Sequence, residues 1–221
     1  MIVHQKHKNI ALDFISDDGM FLNIVRNNEA IRKWCRQVGL IDDLQQENWL
    51  RKISSDPTIR MYSIKDIGKT KSYIVGICGL TDIDHINQRA EFSCYIFPEV
   101  QGKGYATKAL EVLFRHGFND LNLNIIWGET FEGNPAYKLF IDKLGMKHEG
   151  TRNQFYFKNG KFIDAYLVSI SRKEFNAIFT NNDELVDCGN NCDSNVVDFL
   201  EKDKKRRNCK CKKGDSTDHK K

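Results

Sequence analysis

Over residues 89–118 the apolar period changes from two residues to three or four, and a single glycine-containing loop makes the change. Before the loop, Ala90, Phe92, Cys94 and Ile96 alternate with Glu91, Ser93, Tyr95 and Phe97, the pattern of a strand with two distinct faces. After it, Ala106, Ala109, Leu110, Leu113, Phe114 and Phe118 fall on one face of a helix. The join is Pro98-Glu99-Val100-Gln101-Gly102-Lys103-Gly104-Tyr105. Two glycines let the backbone turn tightly, so that successive N–H groups converge at a helix N-terminus, where the helix dipole adds positive potential. Lys103 supplements that field, and a pyrophosphate is the natural tenant. An ordinary glycine turn is the plain alternative. Two phosphate-binding patterns are excluded, since the loop has no Gly-Lys-Ser/Thr and lacks the third glycine of a dinucleotide fingerprint.

The remaining pattern places this loop within one mixed α/β domain. Residues 9–15 read as a first strand, and Ser16-Asp17-Asp18 as a helix start ahead of Met20, Phe21, Ile24 and Val25. Further helical patterns carry Ile31, Trp34 and Cys35, then Leu44, Trp49, Leu50 and Ile53. Residues 59–64 and 73–80 alternate and are joined by Gly68-Lys69-Thr70-Lys71 as a hairpin. Asp84-His85-Ile86-Asn87 is the turn into the strand already described. A strand over 125–131 follows, then a helix over 135–144 with Pro135 in its first turn and Gly145 at its stop. Strands over 147–157 and 162–171 flank Asn159-Gly160, a strong hairpin signal.

Composition bounds the function classes. The longest apolar stretch, residues 73–80, is interrupted by two glycines and falls far short of the roughly 18 residues of a membrane helix. The first eight residues lack the apolar core of a secretory signal, so a cytoplasmic protein with no membrane partner is expected. The net charge of +4 misleads as a whole: residues 201–221 carry ten Lys/Arg and four Asp/Glu, while the other 200 residues have a net charge of −2. The domain is expected to occupy 1–180, with 181–221 a disordered Cys/Lys-rich tail. Nucleic acid is not an expected partner, with that basic tail as the one exception. Its cysteines, Cys188 with Cys192 and Cys209 with Cys211, lack the two-residue gap usual in structural zinc sites, and no metal is expected.

The loop with its surroundings resembles the GNAT superfamily of acetyl-CoA-dependent N-acetyltransferases. That family's Arg/Gln-x-x-Gly-x-Gly/Ala is met by Gln101, Gly104 and Ala106; its second signature is nearly met by Asn134 and Leu144-Gly145-Met146. The resemblance implies a central, mostly antiparallel sheet splayed between its fourth and fifth strands. It also implies acetyl-CoA as cosubstrate. The backbone of Cys94, Tyr95 and Ile96 would pair with pantetheine; Gln101, Gly102, Lys103, Gly104, Tyr105, Ala106 and Thr107 would hold pyrophosphate; Asn134 would touch the cofactor from the other side.

Acetyl transfer to an amine whose ordinary pKa is near ~10 needs a base or a water relay. Glu91 is the first candidate, with a glutamate paired to Arg89 or Arg60 as the alternative; Glu129 is the reserve, and His85 reads as polar surface. Many relatives carry a tyrosine acid seven residues after the helix asparagine. Here that position is Ile141, and Tyr137, one turn earlier, is the substitute or else packs on the sheet.

The stretches around 83–92 and 157–164 look like spermidine N-acetyltransferases, with amino-sugar and ribosomal-protein N-terminal acetyltransferases sharing the general pattern. A polyamine wants carboxylates after the aromatic of the N-terminal helices. Here Trp34 is followed by Cys35, Arg36 and Gln37 and preceded by Arg32 and Lys33, with Asp42, Asp43 and Glu47 only later. The expected acceptor is a small-molecule amine, a polyamine or an amino sugar. A peptide N-terminus and a non-catalytic acyl-CoA-binding module with a basic tail are the alternatives, and a homodimer is possible for the family.

Overall fold

The computed structural model describes residues 2–4, 7, 9–15, 19, 22–37, 39–67, 72–179 and 185–187. Its strands are β1 (Ile2–His4), β2 (Ile10–Phe14), β3 (Arg60–Ile67), β4 (Ser72–Asp84), β5 (Arg89–Ile96), β6 (Ile125–Phe131), β7 (Lys147–Lys158), β8 (Lys161–Ser171) and β9 (Leu185–Asp187). The helices are α1 (Leu22–Asn27), α2 (Glu29–Arg32), α3 (Asp43–Ser55), α4 (Tyr105–Asn119), α5 (Ala136–Asp142) and α6 (Arg172–Ile178). All described strands form one sheet in the order β7-β8-β6-β5-β4-β3-β2-β1-β9.

Every neighbouring pair is antiparallel except β5 and β6. That pair runs parallel for three residues, Arg89↔Ile125, Ala90↔Ile126 and Glu91↔Trp127, and then stops although both strands continue. Leaving out the short β1, these are the fourth and fifth strands, and the mixed α/β GNAT fold with its splayed sheet is the fold observed. Phe92, the first residue beyond the pairing, lays its ring where a side chain on Gly128 would stand.

The alternation of β5 sorts the core into two clusters. Ala90, Phe92, Cys94 and Ile96 pack with Leu110, Leu113, Phe114 and Phe118 of α4. Tyr95 and Phe97 pack on the opposite face with Leu22, Met61 and Ile77. Residues 75–80 of β4 are all buried, because helices cover the sheet there on both sides and the strand needs no polar face.

Two expectations are revised. In α3, Leu44 is 65% exposed, whereas Gln46 is fully buried, its amide donating to the Gly19 carbonyl at 3.0 Å. A satisfied amide buries as readily as a leucine, and Gln46 joins Trp49, Leu50 and Ile53 on the covered face, so apolar spacing gave the face and misplaced only Leu44. Pro135 is the N-cap of α5 and stands outside its first turn. β9 pairs with β1, Ile2↔Asp187 to His4↔Leu185. Two apolar residues show no period, yet an open strand edge suffices to pair them. β1 went unread for the same reason. Ser16-Asp17-Asp18, the Gly68–Lys71 turn, the tail cysteines and the basic run lie outside the described residues.

Gly145 ends α5 in the left-handed region (φ +66°), and Asn159 and Gly160 (φ +49° and +78°) form the tight turn between β7 and β8. No helix among the described residues is long and apolar enough to cross a membrane. The Gly128–Phe92 approach makes a direct prediction. Gly128→Ala sets a methyl group against three Phe92 ring atoms, and the overpacking costs about 1–3 kcal/mol, read as a lower urea midpoint with an unchanged slope.

Candidate active site

The open side of β5 is defined by its backbone. Phe97 N–H donates to Val75 of β4 at 2.9 Å, whereas the Gln88 carbonyl accepts from Asn124 and Ile125 at the β6 end. Strand alternation therefore turns the N–H and C=O of Cys94 and Ile96 toward the gap and those of Tyr95 toward β4. Buried backbone groups require partners, so this edge fits an extended chain bearing amides. One partner is already present: Gln101 Nε2 donates to the Ile96 carbonyl at 2.9 Å.

Below the gap, the loop enters α4 through Gly102 and Gly104, both left-handed (φ +78° and +79°). Gly104 is the N-cap and brings no side chain to the first N–H groups of the fifteen-residue helix. Lys103 is exposed beside them. Unspent N–H groups at a positive helix end are what a pyrophosphate needs. The Tyr105 hydroxyl is committed elsewhere, donating to Asp66 on β3 at 2.5 Å, and that bond and the carboxylate's field raise its pKa. Of the expected phosphate group, Gln101 and Tyr105 thus tie the loop to the sheet with their side chains. The backbone of Gly102 to Thr107 is left to face an anion.

At the point of parting stands Glu91, only 7% exposed. It pairs with neither Arg89 nor Arg60. Arg89 reaches Asp84 at 3.4 Å and Arg60 bonds backbone carbonyls. The partner of Glu91 is Arg36, which grips both carboxylate oxygens, Nη1 to Oε2 at 3.1 Å. The same guanidinium reaches Glu129 on β6 through Nε at 3.3 Å. Glu129 also accepts from Arg152 Nη1 at 2.8 Å and from the Tyr156 hydroxyl at 2.6 Å. Burial works against the charge on Arg36, but the hydrogen bonds and field of Glu91, with smaller help from Tyr156 and Glu129, hold it protonated above the usual arginine range. Burial raises the pKa of Tyr156, and its bond to Glu129 adds to the rise. Tyr95 projects to this side of the sheet and approaches Cys35; burial and that thiol push its phenol well up.

A family model for the acetyltransferase (GNAT) domain matches residues 13–147. The chain belongs to the GNAT acetyltransferase family. Spermidine N(1)-acetyltransferase of Escherichia coli K12 is 34% identical over 100 residues, 45% of this chain and 54% of that protein. The Vibrio cholerae protein of the same name is 26% identical over 158 residues, 72% of this chain and 90% of its own. A putative ribosomal N-acetyltransferase of Bacillus subtilis is 28% identical over 156 residues, covering 69% of this chain and 84% of that protein. The chain spans 61% of an uncharacterized Bacillus licheniformis N-acetyltransferase that it matches at 34% identity, and about half of the Escherichia coli protein. In three dimensions, a crystal structure of the Vibrio cholerae spermidine N-acetyltransferase with CoA and spermine gives a TM-score of 0.70. It covers 76% of this chain and 98% of that one at 24% identity, which carries the fold alone.

Two further expected site residues lie at α5. The Asn134 carboxamide oxygen accepts from Ala136 N–H at 3.0 Å, which leaves its NH2 as the group to offer a cofactor. Tyr137 stacks its ring against Tyr166 at 5.0 Å and His148 at 6.0 Å, on β8 and β7, and is not brought to Glu91. Arg36, Arg152 and Tyr156 were not legible as site residues, because their membership depends on long-range pairing. The basic residues Arg32, Lys33 and Arg36 around Trp34 were the one available signal. Acyl-CoA is the family's cosubstrate, and the gap and the unspent N–H groups of α4 fit it. Gly104→Ala forces a methyl group into the left-handed region at the loop's key turn. Acetyl-CoA binding by calorimetry is expected to weaken at least tenfold while the far-ultraviolet spectrum is retained.

Proposed function

We propose that this chain transfers the acetyl group of acetyl-CoA to the primary amine of a small molecule, a polyamine or an amino sugar, by direct attack in a ternary complex. The observation that carries the reading is the place where β5 leaves β6. A buried carboxylate, an open backbone edge and an uncapped helix end follow one another along a single strand and loop.

In this reading the backbone of Gly102 to Thr107 holds the pyrophosphate. The open edge at Cys94 and Ile96 aligns the pantetheine arm, and a backbone N–H of that edge polarises the thioester carbonyl. The amine arrives protonated and must lose a proton before attack. Glu91 accepts it, either through the oxygen that Arg36 releases or through one water. Holding amine and thioester together supplies much of the remaining gain, on the order of 7–11 kcal/mol. Ile141 in the place of the family's tyrosine, together with the similarity to the ribosomal-type protein, supports a second reading in which a peptide N-terminus is the acceptor.

Thiol release from acetyl-CoA, measured over polyamines, amino sugars and short peptides, selects between these acceptors. Turnover of none of them, with acetyl-CoA bound, leaves an acceptor outside the panel or a binding module. With an active acceptor, Glu91→Gln lowers kcat by about 10²–10⁴-fold at unchanged acetyl-CoA affinity. Tyr137→Phe keeps the ring packing on Tyr166 and His148 and is expected to lose less than threefold. A loss of tenfold or more restores Tyr137 as the proton donor.

A further inference from the structure

Glu91 and Glu129 are the two carboxylates on the acceptor side of the parted strands, 7% exposed for Glu91 as a residue and 1% for the side chain of Glu129. Two guanidiniums already serve them: Arg36 bridges both, and Arg152 takes the remaining Glu129 oxygen. Arg36 is not held by its own side chain alone. Lys158 Nζ, on β7, donates to the carbonyls of Cys35 and of Gln37, the latter at 2.7 Å, and so pins the backbone on either side of Arg36. Behind that turn lies a cavity of about 220 Å³ lined by Glu29, Arg32, Lys33, Gln37, Phe157, Lys158 and Asn159, three cations against one acid. The acceptor side is therefore charge-balanced at the carboxylates and cationic beyond them. A polyamine brings two or more ammonium groups and needs carboxylates that are not already paired.

We infer that Arg36 sets acceptor specificity: its guanidinium takes the seat between Glu91 and Glu129 that a second ammonium of a polycation requires, and restricts acceptors to amines of single positive charge, such as amino sugars. This rests on the acetyl-transfer reading for its biological meaning, but the charge relation stands in binding alone. Arg36 is a specificity-determining residue held in place by Lys158. The remainder of a suitable acceptor is neutral or anionic, matching the basic cavity beside the site.

The full-length chain and its R36Q, R36K and R36Q/E129Q variants test this with spermidine and glucosamine as probes. Spermidine binding is read by calorimetry in the presence of CoA, independently of turnover. R36Q is expected to bind spermidine at least tenfold more tightly than wild type. R36K keeps the cation and shows no such gain, and R36Q/E129Q forfeits it. Where turnover is seen, the ratio of kcat/KM for spermidine over glucosamine rises at least tenfold in R36Q, through KM. Wild type binding spermidine more tightly than glucosamine overturns the inference without any variant, as does a gain in R36Q that survives E129Q. If no amine is acetylated by any form while R36Q still gains spermidine binding, the transferase reading falls and the role of Arg36 stands.

Discussion

A parallel strand pair that ends after Glu91 and Trp127 is the constraint on which the site depends. Strand pairing is the cheapest way to satisfy backbone groups, and β5 forgoes it on one side for the rest of its length. What keeps the strands apart is packing. The Phe92 ring fills the space over Gly128, and it packs edge-on against Phe114 of α4 and Phe140 of α5. An aromatic residue at the first unpaired position, with no side chain opposite it, covers the point of parting from the core side. The opening then presents Cys94 and Ile96 to a ligand, and the same strand runs directly into the loop whose glycines expose the N-terminus of α4. The open strand edge and the exposed helix end are thus consecutive in sequence and need no long-range assembly.

The acceptor half is assembled differently. Its charges come from the turn after α2, from β5, from β6 and from β7, brought together only when the sheet is complete. The arginines are half-exposed and the glutamates buried, so removing an arginine costs most, since it leaves a buried carboxylate charged and unpaired. The tether from Lys158 to the carbonyls beside Arg36 makes geometric sense in those terms: it holds the turn so that the guanidinium stays on its carboxylates.

This difference explains what was legible from sequence. The strand, loop and helix at 89–119 carry local signals of alternation, paired glycines and helical spacing, and the observed elements follow them closely. The hairpin at Asn159-Gly160 and the stop at Gly145 were equally local, since both demand positive φ. Glu91 could be singled out by position, but its partner could not. Arg36 lies 55 residues away, and nothing in a one-dimensional pattern ranks it above Arg60 or Arg89. Gln46 misled for a related reason: its buried amide is satisfied by the carbonyl of Gly19, 27 residues earlier, and hydropathy spacing cannot see that bond. β1 and β9 were too short for any period to register.

Family membership and acceptor choice therefore rest on separate physics. The gap and the loop depend on backbone geometry, and they are shared with spermidine acetyltransferases in fold. The acceptor depends on which charges the side chains leave unspent, and a fold shared at low identity does not transmit that balance. A site for polycations must keep carboxylates free after folding. Here the protein has already paired them with its own arginines, so an incoming amine meets a balanced surface and gains little from a second charge. On the proposed reading, an amine with one ammonium still has a route, because it would displace only one of the bonds that Arg36 makes and Glu91 would then take its proton. If that proposal holds, the salt bridge that stabilises the buried glutamate also sets a threshold that a single ammonium can cross and that offers a polyamine no added reward.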